Sequence, residues 1–327
     1  MMRIENLTAQ YQTITGPVVS VKDVDFTIGD NEIFGIAGES GCGKSTLLKV
    51  LYDTLQYPLE IVKGRVVLEY QDVRGAKHTL ESGHIHEAWW DAISYVPQAA
   101  MSVLNPVYRI EDQFYELFRR HRKGAGRAEM RARVVEYLSE LSLPNDILKS
   151  FPHQLSGGMR QRVVIAMATF LHPSVIFADE PTTALDVVVQ KSILMMLLEL
   201  QRRMKNTLVI VSHDMGVHYQ ITSRMGIMYS GSMMELGDTN DIFSRPAHPY
   251  TQMLIGALPK VGDRAEREGI PGGPPSLRNP PPGCRFAPRC RYAEAICASA
   301  VPEFRAIAPG RYAACHLIGK LKGGEVE

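Results

Sequence analysis

Short, continuous apolar runs alternate along the chain with longer segments whose apolar residues recur every three or four positions. The continuous runs are IFGIA (33–37), AISYV (92–96), VIFA (175–178) and LVIVS (208–212), and polar or glycine-rich residues follow each of them. Runs of this length and composition are typical of buried strands in a largely parallel sheet. The pattern therefore predicts an α/β core, in which ligands bind where strands end and helices begin.

Three other segments depart from this alternation. Residues 64–80 alternate between apolar and polar positions, which predicts a half-exposed antiparallel hairpin. Residues from about 107 to 170 have helical spacing, as in AEMRARVVEYLSEL. Residues 271–282 contain six prolines, which predicts an extended linker or wrapping segment.

Composition narrows the class of protein. The chain has 327 residues, 45% of them hydrophobic and 22% charged, and its net charge is +1, so we expect no strong attraction to nucleic acid or anionic lipid. No apolar run approaches the roughly 18 residues that cross a bilayer. The first residues also lack the basic-then-apolar pattern of a signal peptide. We therefore expect a cytosolic protein, whose cysteines are kept reduced.

The segment GESGCGKS (38–45) directly follows the first apolar run and fits the pattern G-x4-G-K-[ST]. Glycines in such a loop let backbone N–H groups curl around phosphate oxygens, and the following helix adds its N-terminal dipole. Lys44 would reach the β- and γ-phosphates, and the Ser45 hydroxyl would ligate Mg²⁺. The predicted phosphate-binding residues are Gly38, Glu39, Ser40, Gly41, Cys42, Gly43, Lys44, Ser45 and Thr46.

Two further motifs lie later in the chain. VIFADE (175–180) ends in two carboxylates, of which Asp179 suits a Mg²⁺ shell and Glu180 suits polarisation of an attacking water. In LSGGMRQR (155–162), Ser156 is a good helix N-cap, while Gly157 and Gly158 leave the first helical N–H groups uncovered. This predicts a second anion-binding helix start.

Read in order, GESGCGKS, Gln98, LSGGM, VIFADE, ALD and His213 resemble the nucleotide-binding subunit of an ATP-binding cassette (ABC) transporter. The resemblance covers about residues 3–258. It implies a nucleotide-binding domain at 1–258 that hydrolyses ATP. It further implies a P-loop NTPase (RecA-like) core with an antiparallel β subdomain and a helical subdomain at about 100–165.

The resemblance assigns roles to individual residues. Tyr11 would stack on adenine, and Gln98 would contact Mg²⁺ and water and sense the membrane partner. Glu180 and His213 would be catalytic, with Mg²⁺ held by Ser45, Gln98 and Asp179. Ser156, Gly157 and Gly158 would act on ATP bound to the partner subunit, and the loop Ala184, Leu185 and Asp186 would cross the dimer contact.

The same resemblance implies partners and a location. The chain would pair head to tail with a second ABC ATPase subunit, either a paralogue or a second copy of itself. Together they would drive two transmembrane permeases served by an extracellular or periplasmic substrate-binding protein. The chain would then be peripheral, on the cytoplasmic face of the membrane, with no nucleic acid as partner.

Cys42 occupies a variable position of the phosphate loop. Because it lies near Lys44 and a helix start, its thiol pKa should fall. A thiol reagent would then inhibit ATPase activity, and ATP would protect. The alternative is a small filler whose thiol is turned away.

Near the C-terminus, HPYT, GALP and PGCRFAPRC together resemble the C-terminal region of oligopeptide and dipeptide transporter ATPases, a group that also includes nickel importers. We therefore expect residues 259–327 to form a proline-rich linker and a small cysteine-rich extension. The expected cargo is a di- or oligopeptide, with nickel or oligosaccharides as alternatives. From another class, the alternative is a soluble ABC ATPase that acts on nucleic acid or ribosomes.

The extension holds Cys284, Cys290, Cys297 and Cys315, spaced C-x5-C-x6-C-x17-C. Zinc sites have tighter C-x2-C pairs, so the spacing favours zinc only weakly. Four thiolates can equally hold a [4Fe–4S] cluster. Because some members of the family that the chain resembles carry one in this segment, a [4Fe–4S] cluster is the expected occupant and zinc the alternative. Metal-free thiols or disulfides remain a third reading, in which the element is a small folding staple.

Overall fold

A computed structural model describes residues 1–72, 75–98, 103–121, 126–258, 269–322 and 325–326. Residues 259–268 of the predicted linker lie outside this set. The chain divides into two compact units. The first comprises Met1–Leu68, Glu81–Gly83 and Val211–Glu327, and the second comprises Glu69–Leu80 and His84–Ile210.

Strands and helices alternate along most of the described chain. The strands are β1 (Met2–Tyr11), β2 (Val18–Ile28), β3 (Ile33–Ala37), β4 (Leu59–Gln71), β5 (Lys77–Glu81), β6 (Ile93–Val96), β7 (Val175–Asp179), β8 (Thr207–Val211), β9 (Arg224–Tyr229), β10 (Ser232–Asp238), β11 (Arg305–Ala308), β12 (Arg311–Ala313), β13 (Leu321–Lys322) and β14 (Glu325–Val326). The α-helices are α1 (Lys44–Leu51), α2 (Ile110–His121), α3 (Arg127–Glu140), α4 (Gly157–Thr169), α5 (Val187–Met204), α6 (Met215–Ile221), α7 (Thr239–Ser244), α8 (Pro249–Gly256) and α9 (Ala295–Ser299).

In the first unit, β1 pairs with β2 and with β4, both antiparallel. At the start of β1, Met2 and Ile4 are buried and Arg3 and Glu5 are half-buried, because successive side chains of a strand point to opposite faces. The end of β4 and most of β5 belong to the second unit, where Asp72 N–H donates to the Ala76 carbonyl in the turn between them. The predicted hairpin at 64–80 is confirmed as this β4–β5 connection.

The first unit also contains the strand before the phosphate loop. Every residue of β3 is buried, and β3 runs parallel to β9. From β9 the sheet continues through antiparallel neighbours, in the order β9, β10, β12, β11. The last two strands lie within residues 269–322, the described part of the predicted extension, which we call the C-terminal element. This element therefore extends the same sheet.

In the second unit, β6 runs parallel to β7, and β8 lies on the other side of β7. The predicted buried strands are thus confirmed within one residue at their ends, as is the helical stretch, which forms α2, α3 and α4. An aromatic cluster packs these helices together: the Phe114 and Tyr137 rings lie 5.5 and 5.7 Å from that of Phe170. Edge and tilted contacts of this kind are favourable beyond their buried area.

The C-terminal element shares the hydrophobic core of the first unit. Phe286 is fully buried, and its ring centroid lies 5.2 Å from that of Tyr229 and 5.3 Å from that of Tyr250. Cys284 and Cys297 belong to the same buried cluster. Across the described ranges, no helix is both long enough and apolar enough to cross a bilayer.

Candidate nucleotide-binding site

The phosphate loop connects β3 to α1 by a backbone path that glycine alone can follow. At Gly38 φ is +145°, and a Cβ there would stand 2.1 Å from the Met228 carbonyl oxygen. At Gly43 φ is +104°, and a Cβ would stand 2.2 Å from the Ser20 carbonyl oxygen. Both contacts are far inside van der Waals distance, so neither glycine can be replaced without moving backbone. The loop backbone therefore packs directly against the backbone of β9 and β2.

Lys44 begins α1, and its side chain lies inside the loop. Its ammonium donates hydrogen bonds to the carbonyls of Gly38 (2.8 Å) and Glu39 (2.9 Å), and only 5% of the residue is exposed. A buried ammonium needs such partners, because an unpaired charge in an apolar interior is very costly. The loop carbonyls thus fix where the positive charge sits.

Glu39 is held from two directions by residues distant in sequence. Its backbone N–H donates to the Tyr250 hydroxyl oxygen at 2.9 Å. Its carboxylate forms a forked ion pair with Arg289, with Nη1–Oε2 at 2.6 Å and Nη2–Oε1 at 2.9 Å. Tyr250 lies in the HPYT segment, where His248 caps α8 by accepting the Tyr250 N–H at Nδ1. The sequence gives no signal that these residues contact the loop.

The far end of the loop rests on the turn between β9 and β10. Gly231 N–H donates to the Cys42 carbonyl, and the Gly231 carbonyl accepts from Lys22 N–H, each at 2.7 Å. Arg285, from the C-terminal element, donates to the Ser230 carbonyl in the same turn. Two arginines of that element therefore contact either the loop or the turn beneath it.

The thiol of Cys42 is buried, with 2% of the residue exposed. Burial raises its pKa, and this outweighs the lowering effect of nearby Lys44. The expected fall in this pKa is therefore wrong, because close packing of the loop excludes the water that would stabilise a thiolate. Cys42 is a small buried filler.

Tyr11 and His213 also lie in the first unit. Tyr11 is the last residue of β1, and its hydroxyl lies 3.4 Å from Thr46 Oγ1. His213 is exposed and directly precedes Asp214, the N-cap of α6. Behind it, Ser212 N–H donates to the Ile36 carbonyl of β3 at 3.3 Å. His213 therefore follows a backbone segment attached to the strand that carries the loop.

The second unit holds the paired carboxylates at the end of β7. Tyr95 on β6 donates to Asp179 Oδ2 at 3.0 Å. Glu180 has a φ of +44°, and its Oε2 accepts from Gln98 Nε2 (3.1 Å) and Thr183 Oγ1 (2.7 Å). The structure thus brings together two of the predicted site residues, Gln98 and Glu180, which are 82 residues apart in the sequence.

The LSGGM and ALD segments are neighbours within this unit. Ser156 caps α4 by accepting the Met159 N–H, as the sequence predicts. Gly158 lies against α5, where an added Cβ would be 2.5 Å from Val189 Cγ1, and a Cβ at Gly157 would contact Leu185 at 3.7 Å. Asp186 in turn caps α5 by accepting the Val189 N–H at 3.0 Å.

The four C-terminal cysteines lie near one another. Burial raises the pKa of Cys284, Cys290 and Cys315, that of Cys315 to about 11, and the other three thiols add to the effect at Cys315. Among the residues that the structure describes, however, no group of three or more His, Cys, Asp or Glu side chains is placed to hold a metal ion. The geometry therefore does not support the predicted [4Fe–4S] cluster or the zinc alternative.

Known proteins match both parts of the chain. The family model "ABC transporter" matches residues 21–183, and "Oligopeptide/dipeptide transporter, C-terminal region" matches residues 234–297. A solved structure, the ATP-binding cassette MJ0796 bound to ADP and Pi in a dimeric post-hydrolysis state, is 28% identical with a TM-score of 0.61. The likeness covers 73% of this chain and 99% of that one. The fold and the phosphate loop thus define an ABC-type ATPase.

Curated relatives narrow the group. The dipeptide transport ATP-binding protein of Caldanaerobacter subterraneus is 38% identical, over 97% of either chain. The oligopeptide transport ATP-binding protein of Salmonella typhimurium is also 38% identical, over 96% of this chain and 93% of its own. The chain belongs to the ATP-binding subunits of the oligopeptide/dipeptide family of ABC transporters.

The burial of Cys42 makes its thiol slow to react. In the folded chain at pH 7 we expect iodoacetamide to leave Cys42 largely unmodified, because the thiolate is the reactive form and burial disfavours it. Peptide mass spectrometry measures this, with the same chain labelled in urea as the control for complete modification. Rapid labelling of Cys42 in the folded chain would contradict the buried geometry.

Proposed function

We propose that the chain is the ATP-hydrolysing subunit of a peptide importer, with ATP bound on the loop at residues 38–46. The loop supplies curled backbone and the Lys44 ammonium, both suited to phosphate oxygens. Tyr11, beside Thr46, would stack on adenine, and His213 would hold the γ-phosphate. Each of these roles follows the family pattern at the matching position.

Mg²⁺ would be held by Ser45, Gln98 and Asp179. Hydroxyl, amide and carboxylate oxygens are the donors that this hard cation prefers, so the residue types fit the ion. When bound, Mg²⁺ neutralises charge on the phosphate oxygens. The protein's own contribution at Asp179 is orientation, since Tyr95 donates to one of its oxygens at 3.0 Å.

The observation that carries the hydrolytic proposal is the setting of Glu180. Two donors, Gln98 and Thr183, hold one oxygen of its carboxylate at the end of a buried strand. A general base needs a fixed position near the proton that it accepts. Gln98 donates a hydrogen bond to this proposed base. Any movement of Gln98 on contact with a membrane subunit would therefore shift the Glu180 carboxylate.

Head-to-tail pairing with a second ATPase subunit would complete the site. Ser156 is exposed at the start of α4, next to the Ala184–Asp186 loop. Val187 and Val188 follow that loop, and each is 79% exposed. Two adjacent exposed valines beside a capped, glycine-bearing helix start suit a protein contact. In this pairing, Ser156, Gly157 and Gly158 would close over ATP bound to the partner.

Replacement of the proposed base tests the hydrolytic role. Glu180→Gln should lower kcat for ATP at least about 100-fold while MgATP binding persists, because an amide cannot accept the proton. Steady-state ATPase kinetics and calorimetric titration measure the two quantities. The matched control is Glu129→Gln, an exposed carboxylate on α3, which should hydrolyse ATP normally. Near-normal turnover by Glu180→Gln would remove Glu180 from the proposed role.

We propose di- and oligopeptides as the transported substrates. Support comes from the curated relatives, whose names specify dipeptide or oligopeptide transport, and from the matching C-terminal region. The chain itself would not touch the cargo, which would pass through two permeases after capture by a substrate-binding protein. The site of action would then be the cytoplasmic face of the membrane. Nickel and oligosaccharides are the alternatives within the transporter class, and ATPases acting on nucleic acid are not favoured by these relatives.

Co-purified partners test the substrate class. Affinity purification of the full chain from membranes should recover two permeases and a substrate-binding protein. Calorimetric titration of that binding protein should then show affinity for short peptides. A defined peptide mixture is the probe, with Ni²⁺ and a maltooligosaccharide series as the competing ligands. Binding of either competitor in place of peptides would overturn the peptide assignment but not the transporter class.

The [4Fe–4S] cluster remains a proposal for Cys284, Cys290, Cys297 and Cys315. Four mutually close thiols in a short segment support it, and the absence of a ready ligand geometry among the described residues counts against it. Because burial favours the neutral thiol at three of these positions, ligation would require deprotonation together with convergence of the sulfur atoms. The four cysteines would ligate the four irons. A bound cluster would thereby cross-link the C-terminal element.

Metal analysis of anaerobically purified full-length chain decides between these readings. The cluster predicts about four irons and four acid-labile sulfides per chain, with charge-transfer absorbance in the visible range. Stoichiometric zinc would select the alternative metal. A colourless chain without either metal would leave the buried thiols as apolar packing groups.

A further inference from the structure

Arg289 uses its whole guanidinium to join the C-terminal element to the phosphate loop. Besides the two bonds to Glu39, Nη1 donates to the Tyr229 hydroxyl at 3.1 Å. Nε donates to the carbonyl of Pro271 at 2.7 Å, and Nη2 donates to those of Gly272 and Ile270 at 3.2 and 3.3 Å. Arg289 is 8% exposed, so these partners take the place of water.

Glu39 lies where its ion pair with Arg289 can affect phosphate binding. Its carbonyl accepts from the Lys44 ammonium at 2.9 Å and from Cys42 N–H at 3.3 Å, so its backbone helps to set both groups. Its N–H is fixed by Tyr250, and its carboxylate is fixed by Arg289. Any rotation of Glu39 would therefore shift the carbonyl that holds Lys44.

Charge gives a second reason for the pair. A triphosphate brings several negative charges to the loop, and the Glu39 carboxylate adds another within the same loop. Like charges repel strongly at short range where water is excluded. The Arg289 guanidinium neutralises Glu39 and holds it in a fixed geometry. Lysine could supply the positive charge. It could not form the forked ion pair with Glu39 and also donate to three carbonyls.

We propose that Arg289 is a positioning residue of the ATP site, which acts through Glu39 to hold the phosphate loop and neutralise its carboxylate. The inference rests on the proposed ATP-binding role of residues 38–46. It assigns to the APRC segment a function in nucleotide affinity that is separate from any metal or thiol chemistry. Arg289 does not itself touch nucleotide in this proposal.

The test measures MgATP affinity of full-length chains by calorimetry, in a Glu180→Gln background that slows hydrolysis. Arg289→Gln should weaken binding between about fivefold and 150-fold, the range typical of coupling between two sites. Arg289→Lys should bind MgATP more tightly than Arg289→Gln but more weakly than the parent, because lysine keeps the charge without the forked ion pair. The matched control is Arg291→Gln, an exposed arginine two positions away, which should bind like the parent.

A double-mutant cycle separates positioning from general destabilisation. Arg289→Gln should weaken binding, and adding Glu39→Gln to it should recover part of the lost affinity, because the double variant no longer has an unpaired carboxylate beside the triphosphate. If Arg289→Gln does not fold, Arg289→Lys carries the test, since it keeps the positive charge and should still bind MgATP more weakly than the parent. Thermal unfolding midpoints without nucleotide confirm that each variant is folded.

The outcomes distinguish this inference from the function on which it rests. If the parent chain does not bind MgATP, the proposed function fails. If the parent binds and folded Arg289→Gln binds within twofold of it, the positioning role is wrong and the ion pair serves folding alone. A double variant that recovers none of the affinity lost in Arg289→Gln would equally overturn action through Glu39.

Discussion

The close approach of the phosphate loop to neighbouring backbone is the constraint on which the site depends. Gly38 and Gly43 bring the chain within about van der Waals contact of the Met228 and Ser20 carbonyls, and no side chain fits between them. A loop seated this tightly keeps its curled shape without nucleotide. The loop carbonyls then hold the Lys44 ammonium in one position by accepting its hydrogen bonds. Backbone packing therefore determines where the positive charge lies.

That packing extends to the C-terminal element. Phe286 completes an aromatic cluster with Tyr229 and Tyr250, and the same two tyrosines contact Arg289 and Glu39 through their hydroxyls. Apolar burial therefore brings the polar groups to their partners. The strands β11 and β12 pair onto the sheet that contains β9, which fixes the element further. The element is built into the first unit rather than attached at its surface.

Local motifs account for what the sequence could predict. Each of these motifs has a geometry that a few adjacent residues determine. They are the strand followed by GESGCGKS, the N-cap serine before two glycines, and the carboxylates after an apolar run. Gln98 and Glu180 could be paired only through the family resemblance, because 82 residues separate them.

The sequence could not indicate groups joined by tertiary packing. Arg289 and Glu39 lie 250 residues apart, and neither position looks unusual in its own segment. The Cys42 prediction failed for a related reason: the adjacent lysine is visible in the sequence, whereas the burial that outweighs it comes from distant strands. For the cysteines, spacing showed that four thiols were close along the chain but not how their sulfur atoms would be arranged.

The same separation between Glu39 and Arg289 orders events in time. Ribosomes make the phosphate loop 250 residues before the arginine, and domains begin to fold as they emerge. A nascent cassette can thus form its strands and helices while the Glu39 carboxylate still lacks its counter-ion. Only after the ribosome has added the 250 residues that separate Glu39 from Arg289 can the ion pair form, so a nascent chain that stops short of Arg289 has a phosphate loop without this counter-ion.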